Sequence, residues 1–296
     1  AQTAFADGLK ADTTYAVIFF AGVGVLYLAP VLIGMFWGAP LIARELEAGT
    51  LRIAWTQSVS RADWLKVKLL VVGLAGVLTT GALSLAVTWW SAPIDDAMAL
   101  PGQPPLGGFP NRFHPLIFGA RDLVPMGYAA FAFSAGVTTG LLLRRTLVAL
   151  AVTLAVVVAV QVLVPVAVRP EFRTPEQAMT AVTLIPDGAF KLRLGNDTMA
   201  VSVPVNIPGA WVISTQMADA VGRPVSPRTP PACQDPAAPP VACDNAINQL
   251  HLTELVRYQP ANRFWAFQLY ETGGYLVLSL ILVAFCLGRV RRLRPY

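Results

Sequence analysis

The stretch LLVVGLAGVLTTGALSLAVTWWSAPI, residues 69–94, contains no charged side chain. A helix needs about 20 mostly apolar residues to cross the hydrocarbon core of a bilayer, and this run is long enough. It is not alone: residues 13–43, 123–143 and 146–168 are likewise free of charge, and a shorter run at 272–288 reaches spanning length when its helix begins near Asn262. A soluble helical protein would show apolar stripes with charges spaced along the outward faces, and none of these runs does. Only 13% of the chain is charged and 55% is hydrophobic, against about 25% charged in soluble domains. The expected fold class is an all-α polytopic membrane protein with five spans and a small external cap.

The formal charge of +5 is unevenly placed. Residues 40–68, 144–146 and 289–296 hold eleven basic residues against Glu45, Glu47 and Asp63, whereas the remainder holds eleven basic and fourteen acidic ones. Such asymmetry is the positive-inside pattern. It places those three segments in the cytoplasm and gives no reason to expect a nucleic-acid partner. Five spans with a cytoplasmic C-terminus put the N-terminus outside. Residues 1–12 lack both an initiator Met and the pattern of a signal peptide, so one further helix is expected ahead of Ala1.

The expected order is an external segment at 1–13, a span at 14–40, a cytoplasmic region at 41–68 and a second span at 69–92. An external loop at 93–124 follows, with a short interfacial piece near residues 114–118. Spans at 125–143 and 147–168 come next, then the external cap at 169–261, a last span at 262–288 and a cytoplasmic tail at 289–296. Pro30 and Pro40 are positioned to kink or end the first span. Charged and apolar residues alternate through 42–68, which reads as one or two short amphipathic helices at the membrane surface. Small residues dominate 125–143, with Gly136 and Gly140 at GxxxG spacing. That composition allows close backbone approach and predicts a helix at the centre of the bundle. Within the cap, residues 199–205 and 210–215 read as strands and 245–257 as a helix, consistent with a small α+β cap.

Chemistry-bearing residues are few. Cys233 and Cys243 flank a Pro-rich stretch in the expected external cap, where an oxidising compartment permits a disulfide; a free pair or a metal site is the alternative, without a nearby His to complete zinc spacing. Cys286 reads as a packing residue inside the last span. His114 and His251 read as loop residues, and no metal site is expected. No GxxxxGK[ST] loop is present, so any ATP belongs to another polypeptide, and no catalytic site is expected in this chain. Glu271 is the one ionisable residue expected at membrane depth. It reads either as a headgroup-level carboxylate, as the partner of an arginine such as Arg263, or as part of a substrate path or gate. Gln161 carries the same ambiguity, with an interhelical hydrogen bond as its ordinary role.

The segment Ala43-Arg44-Glu45-Leu46-Glu47-Ala48-Gly49-Thr50-Leu51, followed by Thr56-Gln57-Ser58-Val59-Ser60-Arg61 and Lys66-Val67-Lys68, resembles the signature of type-2 ABC transporter permeases. The stretch 258–265 together with Glu271-Thr272-Gly273 resembles their actinobacterial branch. The resemblance implies a six-helix exporter subunit, its first helix missing here, working as a dimer with two copies of an ATP-binding subunit that carries ATP and Mg. The second permease would be an identical chain. Arg44, Glu45, Glu47, Gly49, Thr50 and Leu51 would then belong to the coupling helix that docks on the ATPase. Ser58, Ser60, Arg61 and Lys68 would hold its return to the membrane.

The function expected is export of a hydrophobic or amphipathic substrate, driven by ATP hydrolysed on the separate subunit. The site would be the plasma membrane, with the C-terminus cytoplasmic and the large loop extracellular. Two alternatives remain: an ABC-type sensing or resistance module responding to cell-envelope compounds, and a non-transport membrane protein with a ligand-binding external cap.

Overall fold

The computed structural model describes residues 8, 12–48, 60–98, 109–182, 191–194, 198–202, 207–219, 221–234 and 239–292. Two compact units are present: Ala1–Phe172 with Asn262–Tyr296, and Arg173–Ala261. Among the described residues the first contains five helices long and apolar enough to cross a membrane; the protein is a multi-pass membrane protein.

The first spanning run is α1 (Thr13–Leu32), a π-helical stretch Ile33–Gly38 and α2 (Pro40–Glu47). Asp12 caps its start by accepting a 2.8 Å hydrogen bond from the Thr14 N–H, the usual device for an orphan donor at a helix N-terminus. Neither proline ends the run. Pro30 sits inside α1, and Pro40 occupies the first turn of α2, where a missing N–H costs nothing. The second span, α3 (Arg61–Met98), begins on Ser60, whose Oγ accepts from the Asp63 N–H at 3.2 Å and donates to Asp63 Oδ2 at 2.6 Å. Residues 40–47 and 61–68 are extensions of the two flanking spans, and residues 49–59, the middle of the segment expected to form surface helices, lie outside the described residues. The pattern was that of a helix end leaving the bundle.

A single turn, α4 (Pro115–Phe118), precedes α5 (Val124–Leu143). α5 is buried along almost its whole length, from Val124 to Leu141. Small residues on both sides of the contact permit that position: an added Cβ on Gly34 of the π-helical stretch would lie 2.7 Å from the Ala132 carbonyl oxygen, and one on Gly38 2.6 Å from that of Phe133. Gly136 and Gly140 meet the backbone of Gly34 and Ala39 just as closely, the contact that small-residue spacing allows. Arg144 adopts the left-handed conformation (φ 53°), its N–H donating to the Gly140 carbonyl, and turns the chain into α6 (Thr146–Leu163). A π-helical stretch Val164–Val168 and a 3-10 turn Arg169–Phe172 complete that span.

The second unit holds β1 (Glu176–Ala181), β2 (Lys191–Leu194), β3 (Met199–Ser202), β4 (Trp211–Ala218), α7 (Pro231–Gln234), α8 (Pro240–Asn248) and β5 (Thr253–Gln259). β5 lies between β1 and β4 in an antiparallel sheet, and β2 pairs with β3. The strand expected at 199–205 is β3 over its described part, and the one at 210–215 is β4. The helix expected at 245–257 is corrected: α8 ends at Asn248, His251 takes a positive φ of 46°, and Thr253–Gln259 is the central strand. Alternating burial of Glu254 and Val256 is a period of two, which the Leu252/Leu255/Val256 spacing imitates as a helical one. Val182, Met199, Ile247 and Leu252 form the unit's core, and Cys233 and Cys243 pack against it, joined as a disulfide. The last span, α9 (Phe264–Arg292), follows a short 3-10 turn.

Candidate functional site

Two polar assemblies stand out in the spanning unit, one at each end. The first is built on α2. Buried Ile42 and Ala43 fix its inner face, with Leu65 of α3 and Val290 of α9 in the same apolar cluster as Ile42. That packing sends the acidic side chains sideways. Glu45 forms an ion pair with Lys68 of α3, whose ammonium also lies 4.2 Å from the Trp64 ring centre. Glu47 reaches the start of α6, where its Oε2 accepts from the Thr146 N–H at 3.1 Å and from the Thr146 hydroxyl at 2.6 Å. A carboxylate there satisfies an orphan donor and meets the positive end of the helix dipole. One eight-residue helix is thereby tied to two other spans. Arg44 is exposed beside them.

Among the residues singled out from sequence, Arg44, Glu45, Glu47, Ser60 and Lys68 lie at this end. Arg61 begins α3. Gly49, Thr50, Leu51 and Ser58 lie outside the described residues.

The second assembly surrounds α4. Arg169 and Glu271, with side chains 0% and 1% exposed, form a two-pronged ion pair: Nε to Oε2 at 2.7 Å and Nη2 to Oε1 at 3.0 Å. Arg169 Nη1 also donates to the Pro115 carbonyl at 3.0 Å, and Tyr128 donates to Glu271 Oε1 at 3.1 Å. Such fork geometry, with Nη1 and the Tyr128 hydroxyl adding further hydrogen bonds, is what a buried pair requires to offset desolvation. The ion-pair partner of Glu271 is therefore Arg169, in the 3-10 turn that follows α6, and not Arg263.

The backbone around α4 is held by side chains from its neighbours. Tyr27 donates to the Leu116 carbonyl at 3.0 Å. Gln268 Nε2 donates to the Phe118 carbonyl, while its Oε1 accepts from the N–H groups of Leu123 and Val124. Ser84 donates to the Asp122 carbonyl at 2.8 Å. Buried irregular backbone needs partners of this kind for its polar groups. Gln161 ties α6 to α1 by donating to the Tyr27 carbonyl at 3.1 Å. Arg121, 1% exposed, lies 3.5 Å from Asp95 across the same end of the bundle.

Sequence reading missed Arg169, Tyr27, Tyr128, Gln268 and Thr146. Gln268 and Glu271 are three residues apart on one helix, so they share a face, which was a usable signal. Arg169 follows a charge-free run and precedes a proline, and reads as the start of a loop. Among the described residues, no group of three or more His, Cys, Asp or Glu side chains could hold a metal ion.

No curated protein and no solved structure matches the chain. One family model, ABC-2 membrane transporter related, matches residues 3–169, which takes in α1 to α6 and the whole assembly at α2. This chain belongs to the ABC-2 membrane transporter related family, whose members are membrane components of ABC transporters and work with an ATP-binding subunit.

Proposed function

We propose that the chain is the membrane-spanning subunit of an ABC exporter, moving a hydrophobic or amphipathic substrate outward with ATP hydrolysed on a separate subunit. Two identical permease chains would assemble with two ATP-binding subunits in the plasma membrane. The α2 end faces the cytoplasm and the unit Arg173–Ala261 faces the exterior, as the distribution of basic residues supports.

The observation that carries this reading is the pair of ties from α2. A push delivered to the segment between the first two spans reaches α3 through Glu45 and Lys68, and α6 through Glu47 and Thr146. In this account Glu45 and Glu47 act as transmitting residues inside the permease, and the ATP-binding subunit docks on the segment beyond them. Rocking of packed helices then opens and closes a path along the bundle. The exposed lipid-facing surfaces of α1, α3, α6 and α9 are almost wholly apolar, which favours a substrate that enters from the bilayer.

Purification from native membranes tests the assembly. An ATP-binding subunit should accompany the chain at two-to-two stoichiometry; a chain that purifies alone after mild crosslinking contradicts the reading. A separately folded, disulfide-bonded cap also fits a sensing module. Replacing residues 173–261 by a short linker separates the two, because an exporter keeps ATPase activity in the complex whereas a sensor loses its response to envelope compounds.

A further inference from the structure

Between the first two spans runs a groove of about 470 Å³, lined by Phe36, Trp37, Leu41 and Arg44 on one side and Val71 and Ala75 on the other. That volume lies in the range of pockets that hold organic ligands, roughly 300–1,000 Å³. Its walls are apolar and open: Phe36 is 57% exposed, Trp37 41% and Val71 60%. The π-helical stretch Ile33–Gly38 carries both aromatic residues, and π-helical turns inside α-helices are frequent at functional sites.

Arg44 sits at the end of this trough. The two carboxylates of its own helix are engaged elsewhere, Glu45 by Lys68 and Glu47 by Thr146. Among the described residues no carboxylate forms an ion pair with Arg44. The groove therefore ends in an exposed, uncompensated guanidinium, a donor fork shaped for phosphate. Arg144, Arg145, Arg291 and Arg292 are exposed at the same end of the bundle. A second copy of the chain seated here would bring like charges together, whereas a leaflet rich in anionic lipid is drawn to such an end.

We propose that this groove is a binding site for one anionic phospholipid. Its acyl chain lies along Phe36, Trp37, Val71 and Ala75, and its phosphate is held by Arg44. The assignment rests on groove shape and charge and is independent of which substrate is transported.

The delipidated chain in dodecylmaltoside is titrated with phosphatidylglycerol or phosphatidylcholine carrying brominated acyl chains, and quenching of tryptophan emission is read. Saturable quenching is expected, with phosphatidylglycerol about fivefold tighter, the effect of one basic residue at an anionic surface. Arg44→Gln should erase the preference, Arg292→Gln should preserve it, and Trp37→Phe should remove the saturable component. Ala75→Trp fills the groove without altering charge and should prevent saturable binding even if Arg44→Gln fails to fold. Equal affinity for the two lipids, or equal loss of preference in Arg44→Gln and Arg292→Gln, would overturn the site in favour of a diffuse charged surface. Val71→Cys chains that form disulfide dimers in native membranes would overturn it in favour of a second copy.

Discussion

The carboxylate of Glu47, at the end of the first spanning run, caps the N-terminus of the fourth by accepting two hydrogen bonds from Thr146. Residues far apart in sequence thus share one mechanical joint. A displacement of α2 cannot leave α6 behind without breaking a charge-assisted contact.

If that joint transmits the ATPase stroke, Glu47→Ala and Thr146→Val should each lower substrate-stimulated ATPase activity in the assembled complex, roughly tenfold, the usual size of a coupling between sites. The double variant should be no worse than either single one, because both remove the same contact. Additive losses would show that the two residues act separately.

The Arg169–Glu271 pair predicts a second non-additive series. Arg169→Met or Glu271→Leu alone leaves a buried charge without its partner and should cost about 3–5 kcal/mol. Arg169→Met combined with Glu271→Leu should recover most of that loss, read as the thermal midpoint in detergent.

Close backbone contact between the π-helical stretch and α5 predicts opposite outcomes for two glycines of the first spanning run. Gly38→Ala places a Cβ against the Phe133 carbonyl and should destabilise by about 1–3 kcal/mol. Gly24→Ala meets nothing within 4 Å and should be neutral or stabilising by up to about 1 kcal/mol. Expression level and melting of the purified variants check both.

In the second unit, Asp219 closes the turn after β4. Its Oδ1 accepts from the N–H groups of Arg223 and Val221, and its Oδ2 pairs with the Arg223 guanidinium at 2.8 Å. The Arg223 N–H foremost, then its guanidinium and the Val221 N–H, hold the carboxyl below its ordinary value of 3.8. A lowered folded-state pKa means that its contribution is complete above that ordinary value and is lost as pH falls through the folded one. Hydrogen exchange at Val221 and Arg223 should accelerate below about pH 4, and Asp219→Asn should flatten this dependence.

The disulfide closes a loop of sequence separation 10 and should contribute roughly 3 kcal/mol to this unit. Under reductant, limited proteolysis should attack residues 173–261 first and spare the spanning helices.

The spans were legible because lipid imposes a simple rule, about 20 apolar residues without charge, and the central helix because only small residues allow the backbone contacts made by Gly136 and Gly140. The Cys233–Cys243 pair was legible from compartment and spacing. The segment 40–68 was only half legible: composition marked it as unusual, but a helix extending from a span and a surface helix share the same alternation. Glu271 was singled out as an ionisable residue within a span, yet its partner depended on how the chain folds back, and Arg169 has no local signature. β5 was misread because hydrophobic residues at 252, 255 and 256 satisfy a helical period until the positive φ at His251 is known.

The proposed function requires that an ATP-binding subunit dock between the first two spans, beside the Glu47–Thr146 contact. A photoreactive amino acid placed at Ser60, in membranes containing the whole complex, tests it most directly. The account predicts a crosslink from position 60 to the ATP-binding subunit; a crosslink to that subunit from position 223 instead, with none from position 60, would contradict it.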